Sequence, residues 1–333
     1  MDPATAHQRA IVVDGCSWTF DGWTDKLAAS GATVLNLTLS DAAEGFEGAV
    51  RHIERARALI ARDPARFVLA RKVADIRKAK AEGKIALVFN FQNGRPIEDR
   101  LHHLEIFHEI GLRNMQLTYN ERNFIGDGCL EPANSGLSAF GRRVVTEMNR
   151  LGMTVDLTHV GERTTLEAME ISEQPCVFSH SNPRRRVDNP RNLTDEQIRR
   201  CAAQGGVIGI CGWGPICWTG EAEPPGVSQF VGHVKYITDL VGIDHVGVST
   251  DSTSSMRTAH IVEHATEVNA AYPTVTGKFL ERWGTGLEYR YPVSITHLPA
   301  VTARLIQEGF SEADAAKVMG GNFLRVWEQV WRG

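Results

Sequence analysis

Short apolar runs that stop at a polar or glycine-rich position recur along the chain and alternate with segments of helical periodicity. Eight of these runs predict buried β-strands, at residues 11–15, 33–39, 84–91, 114–119, 155–160, 176–181, 206–213 and 245–251. Eight strand signals alternating with helices over about 240 residues favour a closed parallel barrel over an open sheet. The predicted fold class is therefore α/β, a (β/α)8 TIM barrel.

The segments between and after these runs carry helix signals. Ser138 is a predicted N-cap, and Thr194 with Gln197 forms a predicted capping box. Beyond residue 251 the pattern is helical to the end. We expect one barrel domain over residues 1–333, with extra C-terminal helices over 260–333 packed on its exterior.

Two consecutive predicted strands end at a histidine, in Val155-Asp-Leu-Thr-His159-Val and Cys176-Val-Phe-Ser-His180-Ser. A helical segment, 161–174, lies between them, so both histidines should leave neighbouring parallel strands at the same end. Neutral imidazoles side by side at that rim suit half of a zinc site. Two ordinary polar strand-end residues are the alternative interpretation.

Several other chemically capable side chains are predicted at the same rim: Asp14, Cys16, Gln92, Tyr119, Trp213 and Asp251, with Arg191 in the loop after the sixth strand. Histidines with carboxylates and an arginine suit a metal-assisted hydrolase that binds a carboxylate-bearing substrate. Each residue alone has a structural alternative: a turn for Asp251, solvent exposure for Arg191, and core packing for Tyr119 or Cys16.

Composition narrows the class of protein. A hydrophobic content of 42% and a charged content of 23% are ordinary for a soluble globular chain. The net charge of −4 gives no reason to expect nucleic acid or a membrane surface as a partner. No apolar run approaches the ~20 residues of a membrane span, the N-terminus has no signal-like core, and the six cysteines are scattered. We therefore expect a cytoplasmic protein with reduced thiols.

At these residues the sequence resembles the membrane (renal) dipeptidase family of metallopeptidases, family M19, over nearly its whole length. Besides the two histidine motifs, the resemblance rests on three stretches: Gly136-Leu-Ser-Ala-Phe-Gly141 with residues 144–152, Arg191-Asn192, and Gly321-Asn-Phe-Leu-Arg-Val326. The resemblance implies a (β/α)8 barrel, two zinc ions, cleavage of dipeptides and a homodimer.

By resemblance, His159 and His180 match the ligands of the second zinc ion, Arg191 matches the arginine that grips the substrate carboxylate, and Asp251 matches the aspartate that contacts the amine and handles protons. Four positions depart from the family pattern. Cys16 and Trp18 stand where the family has a His-x-Asp pair, Gln92 replaces the bridging glutamate, and Tyr119 replaces a substrate-polarising histidine.

These departures predict an altered metal site. A tryptophan cannot ligate a metal ion, and a neutral glutamine bridges two ions only weakly. One divalent ion is therefore expected rather than two, with zinc as the preferred ion. The expected ligands are His159 and His180, supplemented by Gln92, Asp251, water or the Cys16 thiolate. Tyr119 would donate to a developing oxyanion, and Trp18 would narrow the substrate pocket.

The sequence leads to one main prediction and leaves two alternatives open. The main prediction is a mononuclear hydrolase that cleaves an amide bond in a dipeptide or amino acid derivative carrying a carboxylate. A binuclear dipeptidase with Cys16 or Asp14 as a replacement ligand is the first alternative. The second is a catalytically inactive barrel that binds a small molecule.

Overall fold

The computed structural model describes residues 2–18, 22–40, 44–252 and 258–332. Nine strands form one parallel sheet: β1 (Val13–Ser17), β2 (Val34–Thr38), β3 (Phe67–Leu69), β4 (Ile85–Phe91), β5 (Leu112–Gln116), β6 (Thr154–Asp156), β7 (Val177–Phe178), β8 (Val207–Cys211) and β9 (Val246–Ser249). Eight of them follow the order β1-β2-β4-β5-β6-β7-β8-β9, in which the chain order is kept.

The first and last strands meet and nearly close the sheet into a barrel. Ser17 forms a parallel bridge with Ser252, and the backbone N–H of Trp18 donates to the Ser252 carbonyl. The buried Asp14 carboxylate accepts from both the amide and the hydroxyl of Thr250, each at 2.7 Å. The predicted (β/α)8 barrel is confirmed.

Two details of the strand prediction were wrong. β3 was missed because a run of three residues is too short to show periodicity. It pairs with the first part of β4, on the edge where β5 pairs with the last part, because β2 occupies the other edge of β4. The strands before the two histidines are also shorter than predicted. Oδ1 of Asp156 accepts from the backbone amides of Thr158 and Ser179, and these bonds replace the ladder there.

Sixteen α-helices surround the described part of the barrel: α1 (Pro3–Arg9), α2 (Asp25–Ala29), α3 (Phe46–Arg62), α4 (Val73–Ala81), α5 (His102–Glu109), α6 (Ala139–Leu151), α7 (Glu162–Ile171), α8 (Asp195–Ala203), α9 (Gly214–Cys217), α10 (Val227–Val241), α11 (Thr258–Ala271), α12 (Pro273–Trp283), α13 (Leu287–Arg290), α14 (Leu298–Gln307), α15 (Glu312–Ala316) and α16 (Asn322–Val330). Short helices α1 and α2 were not predicted. The Ser138 cap and the Thr194–Gln197 capping box are confirmed. Across the described residues, no helix has both the length and the apolar character that crossing a membrane requires.

Alternation along the strands divides the apolar core into two layers. Val13, Val34 and Val88 belong to a cluster that includes Phe323 of α16. The residues next to them in sequence, such as Leu35 and Leu87, belong to the larger cluster between sheet and helices. Successive side chains of a strand point to opposite faces of the sheet, so a strand buried on both faces contributes alternate residues to the two layers.

Phe323 fills space inside the barrel that three glycines leave free. A Cβ atom on Gly247 would lie 2.5 Å from Cε2 of Phe323, and Cβ atoms on Gly15 and Gly209 would each lie 3.1 Å from its Cζ. The ring is 1% exposed. The C-terminal helix therefore anchors the chain to β1, β8 and β9 through one aromatic side chain.

We expect Phe323→Ala to lower the free energy of unfolding by about 3–5 kcal/mol, because the vacated space collapses only in part. Gly247→Ala should also destabilise the protein, but much less when Phe323 is already alanine, since the clashing ring is then gone. Urea denaturation of the two single variants and the double variant measures this coupling. Simple additivity of the two effects would contradict the packing described.

Candidate active site

His159 and His180 lie side by side at the carboxyl end of the barrel. Their Nε2 atoms are 3.1 Å apart, and both side chains are buried. His159 follows β6 in the left-handed region at φ +64°, an uncommon conformation for a residue with a side chain. His180 follows β7, which pairs with β6, so the prediction that both histidines leave neighbouring strands at one end is confirmed.

A chain of hydrogen bonds that starts at Asp156 fixes the protons on both rings. The hydroxyl of Ser179 donates to Oδ2 of Asp156 at 2.5 Å, so Nδ1 of His180, 2.8 Å from that hydroxyl, must be the donor to it. Nε2 of His180 is then unprotonated and accepts from Nε2–H of His159. Nδ1 of His159 in turn accepts from Nε of Arg191 at 2.9 Å.

Asn120 offers His159 a different partner. Its Oδ1 lies 2.7 Å from Nδ1 of His159, and an amide oxygen can only accept, whereas the Arg191 guanidinium can only donate. Nδ1 therefore satisfies one neighbour at a time. With the proton on Nε2, as the chain from Asp156 requires, the partner is Arg191.

Both rings are neutral. Burial lowers the pKa of His159 and of His180 well below the ordinary range, and the nearby Arg191 charge lowers each further. Neutral imidazole is the form that ligates metal ions. His180 directs an unprotonated Nε2 into the site while its other nitrogen is held by Ser179, the arrangement found around metal-bound histidines.

On the other side of His180 lie a thiol and a carboxylate. Ligand atoms of Cys16, His180 and Asp251 all lie within 4.8 Å of one another. The Cys16 sulfur is 3.7 Å from Oδ1 of Asp251 and accepts a hydrogen bond from the Gln92 amide. The Cys211 thiol lies 3.8 Å from Oδ2 of Asp251, so each carboxylate oxygen faces one thiol.

This cluster holds protons when no cation is near. Burial and the neighbouring Asp14 raise the pKa of Asp251 to about 7, against the opposing influence of Arg191. Burial, Asp251 and Asp14 raise the pKa of the Cys16 thiol well above its usual range. A divalent cation would reverse both effects, because ligands bind it in their deprotonated form.

Aromatic rings line the mouth around these groups. The Tyr119 ring stacks on His159 with centroids 4.1 Å apart and lies three residues beyond β5, in the loop rather than at the predicted strand end. Burial and Asp251 raise the pKa of Tyr119, so its hydroxyl keeps its proton. Trp18 donates from Nε1 to the Asp251 carbonyl at 2.9 Å and lies 6.3 Å from Tyr291 between ring centroids.

Two residues predicted at the rim make structural contacts. Both carboxylate oxygens of Asp14 accept hydrogen bonds in the barrel wall, from Thr250 and Ser17. The Trp213 ring is covered by the Arg290 guanidinium, 5.2 Å from its centroid.

Comparison with known proteins identifies the family of this chain. The model of the membrane dipeptidase family, peptidase family M19, matches residues 20–288. The chain belongs to this family. Among curated relatives, it is 29% identical over 267 residues to dipeptidase tcpJ of Claviceps purpurea, covering 80% of this chain and 56% of that protein. Dipeptidase verJ of Clonostachys rogersoniana is 28% identical over 86% of this chain and 66% of its own length. The chain thus spans less than two thirds of either relative.

Solved structures show the same fold. An amidohydrolase from Pseudomonas aeruginosa is 31% identical, with a TM-score of 0.87 and 99% coverage of both chains. A metallopeptidase from Rhodobacter sphaeroides, liganded with a phosphinate mimic of the dipeptide L-Ala-D-Ala, is 20% identical, with a TM-score of 0.77 over 97% of this chain and 100% of that one. At 20% identity, the likeness to the Rhodobacter sphaeroides structure shows that the fold is shared and nothing further.

Four residues of this membrane dipeptidase family member contact the site but were not predicted from the sequence: Asn120, Asp156, Ser179 and Cys211. Asp156 and Ser179 belong to the two histidine motifs themselves, and an acidic residue within a buried apolar run was the available signal. Nothing local to Asn120 or Cys211 indicates that the fold brings them to His159 and Asp251.

We expect the stability of the metal-free protein to depend on pH through Asp251. Its pKa is raised from 3.8 to about 7 in the folded state, so the stabilising contribution of the protonated form is complete below pH 4 and is lost as the pH rises to about 7. Asp251→Asn should therefore gain stability relative to the wild type between pH 4 and pH 8, by a free energy of the order of 4 kcal/mol.

Denaturation in chelator at several pH values measures this difference. Asp239→Asn, an exposed substitution on α10, is the matched control and should follow the wild type. A difference between Asp251→Asn and wild type that stays constant with pH would contradict the assignment.

Proposed function

We propose that this chain is a metal-dependent hydrolase that cleaves an amide bond in a small carboxylate-bearing substrate, a dipeptide or an amino acid derivative. The reaction would use one divalent cation, with zinc as the preferred ion. The observation that carries the proposal is the convergence of a neutral imidazole, a thiol and a carboxylate beside a buried arginine.

The donor set fits a divalent cation of the zinc type. Imidazole nitrogen, thiolate sulfur and carboxylate oxygen are the ligands that zinc takes in proteins. His180 belongs to both groups of candidate ligands, with His159 on one side and with Cys16 and Asp251 on the other. When bound, the cation polarises a carbonyl and lowers the pKa of water.

Arg191 supplies recognition of the substrate carboxylate. Three of its five N–H groups donate within the described structure: Nε to His159, Nη1 to Ser181 at 3.0 Å and Nη2 to the His180 carbonyl at 2.9 Å. Each terminal nitrogen keeps one further N–H, the pair that bidentate binding of a carboxylate uses. A cavity of about 200 Å³ is lined by Arg191 and His159, but not by Cys16, His180, Asp251 or Tyr119.

Tyr119 and Asp251 carry the proton transfers in this proposal. The protonated Tyr119 hydroxyl is a donor for negative charge that develops on the carbonyl oxygen during attack. Asp251, a carboxylate beside the candidate cation site, is placed to accept and return a proton during the reaction. Trp18, bonded to the Asp251 backbone, narrows the space for the substrate.

Metal analysis tests the proposal directly. We expect the purified protein to contain close to one equivalent of a divalent metal per chain and to hydrolyse members of a dipeptide and N-acyl amino acid panel. His180→Ala should lose the metal, because its Nε2 is shared by both candidate ligand groups. Less than a tenth of an equivalent, with turnover unaffected by chelator, would refute a metal-dependent reaction.

A second test addresses Arg191. We expect the wild type to prefer substrates with a free carboxylate over their amides by about 30–1000-fold in kcat/KM, the value of a desolvated charged hydrogen-bond pair. Arg191→Lys should lose most of this preference, because a single ammonium cannot replace the planar pair of N–H groups. The exposed Arg185→Lys is the control. An unchanged preference in Arg191→Lys would remove this role.

A further inference from the structure

We propose that the cation is held by Cys16 Sγ, His180 Nε2 and one oxygen of Asp251, with His159 outside the coordination sphere as the partner of Arg191. This inference rests on the proposed function, since it assigns the ligands of the metal used there. It differs from the two-histidine site expected from the sequence.

Position is the first argument. The ligand atoms of Cys16, His180 and Asp251 lie within 4.8 Å of one another, in a buried to partly buried pocket at the barrel mouth. The three residues come from the ends of β1, β7 and β9. Three protein ligands with one position left open is the composition of catalytic zinc sites.

Charge is the second argument. An imidazole ligand and a glutamine amide carry no negative charge, so His159, His180 and Gln92, all buried, would leave a dication uncompensated. An uncompensated buried charge is costly. Deprotonated Cys16 and Asp251 together supply two negative charges, which balance a divalent ion.

The third argument is that the hydrogen bonds described above leave Nε2 unprotonated on His180 and protonated on His159; a cation on His180 would take the place of the His159 N–H as its partner. Nδ1 of His159 accepts from Arg191 and its Nε2–H donates to His180. To ligate through Nε2, His159 would have to move its proton to Nδ1, where Asn120 Oδ1 would accept it, and Nε of Arg191 would lose its acceptor. His180 needs no such change, because Ser179 and Asp156 already hold its proton on Nδ1.

Gln92 supports the thiolate in this arrangement. Its side-chain amide donates to the Cys16 sulfur, and its backbone carbonyl accepts from Gln116 at 2.6 Å. A donor aimed at a ligand sulfur stabilises the negative charge that metal binding creates. Oδ1 of Asp251 faces Cys16 while Oδ2 faces Cys211, so Oδ1 would ligate and Oδ2 would remain to accept a proton.

The ligand set can be read by spectroscopy without measuring activity. X-ray absorption at the zinc edge of the wild-type protein should show one sulfur neighbour at about 2.3 Å. The cobalt-substituted protein should show a sulfur-to-cobalt charge-transfer band in the near ultraviolet. Neither measurement depends on the folding of a variant.

Variants then separate the two candidate ligand groups. Cys16→Ser should abolish the charge-transfer band and weaken cobalt binding by more than the 10–100-fold typical of outer-shell losses. His159→Gln should keep one equivalent of cobalt and the band. Cys201→Ser, at a buried thiol bonded to the Cys176 carbonyl, is the matched control and should bind cobalt as the wild type does. Circular dichroism verifies the fold of each variant.

Failure of this inference is distinguishable from failure of the proposed function. One equivalent of metal with only nitrogen and oxygen neighbours, lost in His159→Gln, would overturn the Cys16 site and leave the metal-dependent hydrolase intact. Absence of bound metal in the wild type, even after dialysis against zinc or cobalt, would overturn both.

Discussion

The hydrogen bonds that Asp156 accepts are the constraint on which the site depends. This buried carboxylate receives two backbone amides and the Ser179 hydroxyl, so it ends β6 and β7 and fixes the tautomer of His180 at once. From there the proton positions of His159 and the direction of the Arg191 bond follow without further choice. One acidic side chain in a barrel strand thus connects the backbone geometry to the chemistry of the rim.

In the proposed site, charge compensation would allow the barrel mouth to differ from the family pattern and still hold a cation. The sequence resemblance places a neutral glutamine where a bridging carboxylate is expected, and the fold sets the Gln92 amide against the Cys16 sulfur. The thiol and Asp251 are close together and retain protons without a cation. Negative charge is therefore available when a dication arrives and is absent otherwise, which avoids burying unpaired anions.

Contacts inside the barrel support this rim. Phe323 fills the space beside Gly15, Gly209 and Gly247, and Asp14 joins the first strand to the residue after the last one. These contacts hold β1, β8 and β9 in place, and the ends of β1 and β9 carry Cys16 and Asp251.

The sequence by itself determined the barrel, the order of its main strands and the presence of two histidines at one rim, because strand periodicity and capping signals are local properties. It also pointed to the family through motifs around His159 and His180. Only the tertiary structure decided which groups meet: Cys16 with Asp251, 235 residues apart in sequence, and Asn120 and Arg191 on the two sides of Nδ1 of His159. Such contacts depend on how far each loop extends beyond its strand and on which nitrogen or oxygen of each neighbouring side chain carries a proton. Both are set by packing across the closed barrel rather than by any local sequence pattern.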